Sequence, residues 1–339
     1  MINIAFKKYS KFIIKSDNSS WVLDELKKEI SDILNNKYKF INSNLYNFID
    51  YQHIFFINKY ELAKLPNKNL KIAASYFHTE KNKKKENKKI LNQIINDDRI
   101  KCIQVTNNQT KNFLIKKGVK RENIFKIPIG IQIEKFKFIS LEKKKLIKKK
   151  NKLKDYLVIG SFQKDGKNWG EGNEPKMVKG PDILVKLLKK LKKKYKIHVV
   201  LTGPARGYVI NNLKKLKISY EHHFLKKYDD IIKYYSLIDA YVVTSREEGG
   251  PRSILESMAS GVLIYSTKVG QAKEIIRNNS NGYLYEIKNL DQLSKKIIKN
   301  HLNDNRKIKL IKNARLTAIK YSHKKMKYKW YKFFEKLSK

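Results

Sequence analysis

Short apolar runs alternate with helical patterns along the chain, and this alternation limits the fold more than any other feature. The runs are residues 2–6, 53–57, 72–77, 102–106 and 124–130 in the first half, and 156–162, 197–203, 240–245 and 262–267 in the second. Between them lie segments such as 182–194, in which Ile183, Leu187 and Leu191 share one face and lysines cover the rest. Strands that alternate with helices predict βαβ units and parallel sheets, hence an α/β fold.

The length predicts more than one domain, because 339 residues exceed the ~150 that usually share one core. The lysine-rich stretch 141–155 separates the halves and has two interpretations, a linker or one helix. We therefore expect domains at 1–150 and 151–320. The aromatic-rich tail 321–339 is expected to form a helix that packs on the N-terminal domain.

The net charge of +45 has two interpretations. An AT-rich genome encodes many lysines on any protein surface, whereas a functional excess would attract phosphates and anionic lipid head groups. Only eight of the 76 basic residues are arginine. Sequence-specific readers of duplex DNA favour arginine for bidentate base contacts, so nucleic acid is not an expected partner.

Several kinds of protein are disfavoured by what the sequence lacks. Cys102 is the single cysteine, which excludes an intrachain disulfide and a cysteine-based metal cluster. No window approaches ~18 consecutive apolar residues, and the first residues do not resemble a signal peptide. No Asp-x-Asp and no His/Asp/Glu cluster has metal-ligand spacing. We expect a cytoplasmic protein without a metal site.

The stretch SREEGGPRSILESMASG, residues 245–261, predicts a ligand site. A buried strand ends at Ser245, Pro251 suits the first helical position, and Gly261 suits the position after the helix. Ligands bind at such carboxyl ends of strands in open α/β sheets. Gly249 and Gly250 allow a phosphate to approach the backbone, and the first helical N–H groups attract it.

Glu256 in this helix has two interpretations. Ile254, Leu255 and Met258 form the core face, and Glu256 is expected to project roughly opposite them. It could bind a ligand there, or it could form a surface ion pair with Arg252, four residues earlier.

A resemblance bears on this choice. Glu248 and Glu256, eight positions apart in EGGPRSILESMASGV, resemble the signature of glycosyltransferase family 4, a retaining family of GT-B fold. Residues 124–136, 179–191, 200–208, 230–245 and 269–286 are similar to further family segments, in the same order. The resemblance is strong from 156 to 290. It implies two Rossmann-like domains facing across a cleft, with the C-terminal helix crossing back to the N-terminal domain.

The resemblance also implies roles for particular residues. Glu256 would bind the ribose and Glu248 the sugar of the donor, since carboxylates accept strong hydrogen bonds from hydroxyls. Lys179 matches the family's phosphate-binding lysine, and Arg206 is a further candidate for a phosphate contact. His78 resembles the N-terminal-domain histidine near the transferred sugar.

Three positions depart from the family pattern: Glu174, Ile129 and Gln132 stand where the family usually has Arg, Asn and Asp. Glu174 stands where the family has a phosphate-binding arginine, and the insertion 163–176 lengthens this loop. Lys164 or Lys176 could replace the missing charge, although surface decoration is the usual role of a lysine in so basic a chain.

The family implies a metal-independent enzyme without a cofactor that transfers a hexose from a nucleotide diphosphate sugar to a glycan or lipid-linked acceptor. Surface polysaccharide or lipopolysaccharide synthesis is the usual setting of such bacterial proteins, and a peripheral contact with the anionic inner face of the membrane would suit the charge. Two alternatives remain. One is a non-catalytic polyanion-binding protein of the same fold, and the other is a different GT-B enzyme, such as a phosphorylase or an epimerase.

Overall fold

The computed structural model describes residues 10–15, 22–41, 53–65, 69–78 and 84–339. The strand expected at 2–6 lies outside these residues. The chain divides into two compact units. Unit 1 contains residues 1–128 and 323–339, and unit 2 contains residues 129–322. No helix in the described ranges is long and apolar enough to cross a membrane.

In its described residues, unit 1 contains one sheet of six parallel strands in the order β2-β1-β3-β4-β5-β6. The strands are β1 Ser10–Lys15, β2 Tyr38–Ile41, β3 His53–Phe56, β4 Lys71–Ser75, β5 Ile100–Val105 and β6 Ile124–Lys126. The helices are α1 Val22–Leu34, α2 Lys84–Asn96, α3 Asn108–Lys116 and, at the end of the chain, α12 His323–Ser338. Apolar clusters cover both faces of the sheet, as a buried parallel sheet requires.

The terminal helix α12 packs on the sheet of unit 1, as the aromatic tail predicted. Trp330, Phe333, Phe334 and Leu337 are buried and join the cluster that contains Phe55 of β3. Their spacing of three and four residues places them on one face of the helix. The last 17 residues therefore belong to the N-terminal unit.

Unit 2 also contains one sheet of six parallel strands, counted in the described part of the chain, in the order β12-β11-β10-β7-β8-β9. The strands are β7 Leu157–Phe162, β8 Ile197–Thr202, β9 Ser219–His223, β10 Ala240–Val243, β11 Leu263–Thr267 and β12 Tyr283–Tyr285. The helices are α4 Leu141–Lys150, α5 Pro181–Lys192, α6 Gly207–Lys215, α7 Ile232–Tyr235, α8 Arg252–Ala259, α9 Ala272–Ile275, α10 Leu290–His301 and α11 Asp304–Lys320. Two short 3-10 turns, Met177–Lys179 and Tyr228–Ile231, also bear on the site.

The division between the units lies at 128/129, earlier than the expected boundary at 150. The side chain of Gln271 explains part of the difference, because it bonds both the backbone N–H and the carbonyl of Ile129 at 3.0 Å. The stretch 141–155 begins with the helix α4, whose Leu141 joins the core of unit 2. Of the two interpretations of this stretch, the helix is correct.

Candidate functional site

The strand order of unit 2 has a switch point between β7 and β10. The chain continues from β7 to β8 on one side and from β10 to β11 on the other, while β7 and β10 pair with each other. This is the order of the doubly wound nucleotide-binding folds, in which ligands bind beyond the carboxyl ends of the strands at the switch point. The loops that leave β7 and β10 there are residues 163–180 and 244–251.

Lys179 and Glu248, predicted separately as site residues, meet at this switch point. The Lys179 ammonium donates to Oε1 of Glu248 at 2.6 Å, and the Ser245 hydroxyl donates to the same oxygen at 2.8 Å. The two side chains of the ion pair are 27% and 12% exposed. The site therefore holds a partly accessible cation and carboxylate side by side.

Gly180 allows the two loops to approach each other. Its φ of 66° lies in the left-handed region that glycine favours, and a Cβ there would stand 2.0 Å from the carbonyl oxygen of Thr244. Only a residue without a side chain lets the loop after β7 pass so close to the end of β10, and this contact places Lys179 beside Glu248.

The glycine turn leads into α8, as the sequence predicted. Pro251 precedes the helix as its N-cap, one residue before the predicted position, and α8 begins at Arg252. The carbonyl of Gly249 accepts from the backbone N–H of Gln271 at 2.9 Å. A Cβ on Gly250 would lie 2.6 Å from Oε1 of Gln271. Gln271 therefore holds the turn in place, and the positive end of the dipole of α8 lies beside the turn.

Glu256 does not project away from the core as predicted. It is only 2% exposed, because α8 is buried on nearly every side. Its carboxylate accepts hydrogen bonds from the hydroxyls of Tyr228 and Tyr235, the latter at 2.7 Å. Burial raises the pKa of Tyr235 well above its usual value, so this hydroxyl stays a proton donor. The alternative partner is also present, since Nε of Arg252 lies 3.5 Å from Oε1 of Glu256.

Arg206 has a structural environment instead of the predicted phosphate contact. Its side chain is fully buried, and Nη1 donates to the backbone carbonyls of Ser161, Gln163 and Thr202 at 2.6, 2.8 and 3.0 Å. Nε lies 3.0 Å from Oδ1 of Asp165, whose side chain is also 0% exposed. The guanidinium therefore fastens the end of β7 and the end of β8 together inside unit 2.

The insertion 163–176 packs on the glycine loop of 203–207. The carbonyls of Glu171 and Gly172 accept from the backbone N–H groups of Gly207 and Tyr208 at 2.7 and 2.9 Å. These are the first amides of α6, so the chain itself caps the helix end that a phosphate would approach. No pattern in the sequence predicted this contact.

Several charged side chains of the insertion contact other residues of the same segment. Glu174, at the position of the family's arginine, is exposed and pairs with Lys167. The Lys164 ammonium lies 3.8 Å from the centre of the Trp169 ring. Burial, with a smaller effect of the nearby Lys176, lowers the pKa of Lys164.

His78 follows the carboxyl end of β4 in unit 1, where the sequence placed it. Its backbone carbonyl accepts from the Lys59 ammonium at 2.5 Å, and Lys59 also donates to Oδ1 of Asn87 at 2.8 Å. Lys59 is 4% exposed. A buried cation thus fixes the segment that carries His78, and nothing in the sequence distinguished this lysine from the others.

Metal ligands are not grouped in the structure as far as it is described. Within residues 10–15, 22–41, 53–65, 69–78 and 84–339, no three His, Cys, Asp or Glu side chains are placed to hold a metal ion.

Comparison with known proteins identifies relatives of this arrangement. Residues 174–317 match the family model "Glycosyl transferases group 1". An "Uncharacterized glycosyltransferase" of Methanocaldococcus jannaschii is 28% identical over 234 residues, which are 67% of this chain and 56% of that protein. The "N,N'-diacetylbacillosaminyl-diphospho-undecaprenol alpha-1,3-N-acetylgalactosaminyltransferase" of Campylobacter jejuni is 29% identical over 117 residues, 34% of this chain and 31% of that one. The matches to the first curated relatives thus span only 34% and 56% of those proteins' lengths.

The crystal structure of Anabaena HepE in complex with UDP-glucose is similar over 96% of this chain and 99% of that one, with a TM-score of 0.77 and 15% identity. This similarity confirms the predicted GT-B fold. The family model and the relatives support the wider glycosyl transferases group 1 family. The finer assignment to family 4, with its pair of glutamates, stays a prediction.

Proposed function

Because residues 174–317 match glycosyl transferases group 1, we propose that the protein is a retaining hexosyltransferase that uses a nucleotide diphosphate sugar. The observation that carries the proposal is the Lys179–Glu248 pair at the switch point of unit 2. The pair combines a cation for a phosphate with a carboxylate for sugar hydroxyls, at the place where doubly wound sheets bind nucleotides.

The first task of the site is to stabilise the leaving group. Negative charge gathers on the pyrophosphate as the glycosidic bond breaks, so groups that are already positioned and positive lower the barrier. In our proposal the Lys179 ammonium contacts this charge from one side, and the first amides of α8, after Gly249 and Gly250, contact it from the other. These groups make a metal ion unnecessary. The leaving phosphate then helps to deprotonate the acceptor hydroxyl on the same face, without a protein nucleophile or another cofactor.

Glu248 and Glu256 orient the donor in this proposal. Glu248 accepts hydrogen bonds from hydroxyls of the hexose beside Lys179. Glu256 accepts hydrogen bonds from the ribose hydroxyls. These replace the hydrogen bond from the Tyr228 hydroxyl, while Tyr235 keeps its own. Exchange of one hydroxyl for another leaves the buried carboxylate fully hydrogen-bonded, which avoids the penalty for an unsatisfied charge.

The N-terminal unit contributes the acceptor side. His78 contacts the transferred sugar in our proposal, and the hydrogen bond from Lys59 to its carbonyl keeps the segment in place. The names of two relatives agree with this chemistry, because HepE was crystallised with UDP-glucose and the Campylobacter enzyme acts on a diphospho-undecaprenol. We propose a glycan or lipid-linked acceptor in bacterial surface polysaccharide or lipopolysaccharide synthesis, with the protein in the cytoplasm at the inner face of the membrane.

The test is a binding panel of UDP-, GDP-, ADP- and CMP-sugars, measured by thermal shift at about 50 and about 500 mM salt. The sugars of one nucleotide should stabilise the protein at both salt concentrations. The protein should then transfer the sugar from that donor to an acceptor. Lys179→Met and Glu256→Gln should each weaken donor binding at least about tenfold, the effect of losing one charge-assisted hydrogen bond. Lys189→Met, an exposed lysine of α5, is the matched control and should bind as the wild type does.

Tyr228→Phe separates the proposed exchange at Glu256 from simple loss of structure. Since this variant removes the competing hydroxyl and keeps the ring, it should bind the donor as tightly as the wild type or more tightly. If every anion stabilised all variants alike and salt abolished the effect, the lysines alone would explain binding and the polyanion-binding alternative would replace the transferase.

A further inference from the structure

Unit 2 contains a pocket at the amino ends of β7 and β10, the ends opposite the Lys179 site. Tyr156 and Asp239 directly precede β7 and β10, and the pocket lies beside them, between α4 and the junction of α10 with α11. We name it the amino-edge pocket and define it by Lys144, Lys148, Asp239, His301 and Lys307. The six residues of β7 separate it from the Lys179 site by about 20 Å.

Three ammonium groups are buried in the amino-edge pocket around one carboxylate. Lys144, Lys148 and Lys307 are 2%, 5% and 6% exposed. Lys148 contacts Oδ2 of Asp239 at 2.5 Å, and Lys307 lies 3.9 Å from Oδ1. Lys144 instead donates to the carbonyl oxygens of Ile238 and Gly261 at 2.9 and 3.1 Å. Positive charge therefore exceeds negative charge inside the pocket.

The charged residues at the rim do not offset this excess of positive charge. Lys145 pairs with Asp304 at 2.6 Å, but Lys149 and Lys154 also line the pocket, so its walls hold six lysines and two acids. Burial lowers the pKa of Lys144 to about 7, and Lys307 and Lys148 act in the same direction while Asp239 opposes them. Three buried lysines share one buried aspartate here, so an anion that entered this space would offset the excess positive charge and be bound strongly.

A purely structural role explains only part of these contacts. The lysines do tie α4 and α11 to the edge of the sheet through Asp239 and the carbonyl groups. A structural tie would not need a cavity of about 480 Å³, a size that suits a small ligand. It would not need exposed leucines beside it either, yet Leu146 and Leu302 are 68% and 66% exposed at the rim.

We propose that the amino-edge pocket binds the phosphate group of a ligand that also has an apolar or ring-bearing part. The phosphate would meet the lysines at the base, because phosphate oxygens accept several charge-assisted hydrogen bonds at once. The remainder of the ligand would contact Leu146 and Leu302. Two sources supply this chemistry, a soluble phosphate ester and the head group of an anionic phospholipid. The inference does not depend on sugar transfer.

The first experiment measures binding of glycerol phosphate by calorimetry at a constant ionic strength of about 150 mM. The test variant is Lys149→Gln/Lys154→Gln, because both lysines are exposed and we expect their loss to leave the fold intact. The matched control is Lys312→Gln/Lys320→Gln, which removes the same charge from exposed positions of α11. We expect about fivefold weaker binding in the test variant and no change in the control.

Two further arms identify the source and separate the two sites. Vesicles of phosphatidylcholine, with and without about 30% phosphatidylglycerol, test the lipid source by co-sedimentation. Loss of binding to phosphatidylglycerol vesicles in the test variant and not in the control supports the lipid head group. Loss of binding to glycerol phosphate without loss of binding to these vesicles supports the soluble ester. Binding must persist in Lys179→Met, which disables the proposed donor site. Equal losses in test and control variants, or no binding of either probe, would overturn the proposal.

Discussion

Arg206 is the residue for which sequence and structure make opposite predictions, and Arg206→Met decides between them. The sequence made it a candidate phosphate ligand. In the structure its guanidinium is fully buried and donates to three backbone carbonyls, with Asp165 as a buried ionic partner. The structure therefore predicts that the substitution affects folding, not donor binding.

The size of the effect follows from what the substitution leaves behind. Removal of one partner of a buried ion pair costs about 3–5 kcal/mol, because the other charge stays buried without compensation. The carbonyls of Ser161, Gln163 and Thr202 lose their donor as well, which places the expected loss at the upper end, about 5 kcal/mol. Since the total stability of a protein is about 5–15 kcal/mol, Arg206→Met should be close to unfolding.

Urea unfolding followed by circular dichroism measures this loss. The double variant Arg206→Met/Asp165→Asn also removes the stranded carboxylate, so it should recover about 2 kcal/mol of the loss. The donor KM of whichever variant stays folded should lie within about threefold of wild type, because in this structural role Arg206 does not contact the phosphates of the donor. A variant as stable as wild type to within about 1 kcal/mol, with a KM raised about tenfold, would refute the structural role and restore the phosphate contact.

Two further predictions concern stability. Burial lowers the pKa of His301, next to Asp239 and Lys307, to about 4. The unfolded chain takes up this proton below about pH 6.5 and the folded protein does not until about pH 4, so about 3 kcal/mol of stability is present above that range and lost within it. His301→Phe should flatten this dependence in urea unfolding at several pH values, and an unchanged slope would contradict the assignment. Phe334→Ala, at a ring with 0% exposure, should cost about 3–5 kcal/mol, whereas Tyr328→Ala, at 64% exposure on the same helix, should change stability by less than about 0.5 kcal/mol.

In unit 2 the sequence predicted the four central strands and missed the two edge strands β9 and β12, whereas in unit 1 it predicted the edge strand β6 and missed the interior strand β1. The apolar runs at 156–162, 197–203, 240–245 and 262–267 contain β7, β8, β10 and β11. Strands covered on both faces of a parallel sheet read as continuous apolar segments. The edge strand β9, Ser219–His223, has one partner strand and mostly polar residues, so it carries no such signal.

The same distinction applies to the candidate site. Lys179 and Glu248 could be predicted because the short segments around them resemble motifs of the family, and the structure places both residues in loops that leave strands at the switch point. The burial of Glu256 could not be predicted, because it depends on two tyrosines that lie elsewhere in the chain. Tyr235 belongs to α7 and Tyr228 to the 3-10 turn before it, and both are separated from α8 by β10. The ion pair of Glu256 with Arg252 is local, and the spacing of four residues did predict that contact, although as a surface pair and not as the buried pair that the structure shows.

The lysine excess had two interpretations, and the burial of individual lysines separates them. A coding bias places lysines wherever a surface tolerates them, and most of the described lysines are indeed exposed or half-buried. Burial of an ammonium group is different, because desolvation opposes it at every position. Among the described residues five lysines are buried, and three of them, Lys144, Lys148 and Lys307, meet in the amino-edge pocket around one aspartate. A bias in codons does not gather buried charges in one place, so this part of the excess requires a physical reason, and a bound anion supplies one.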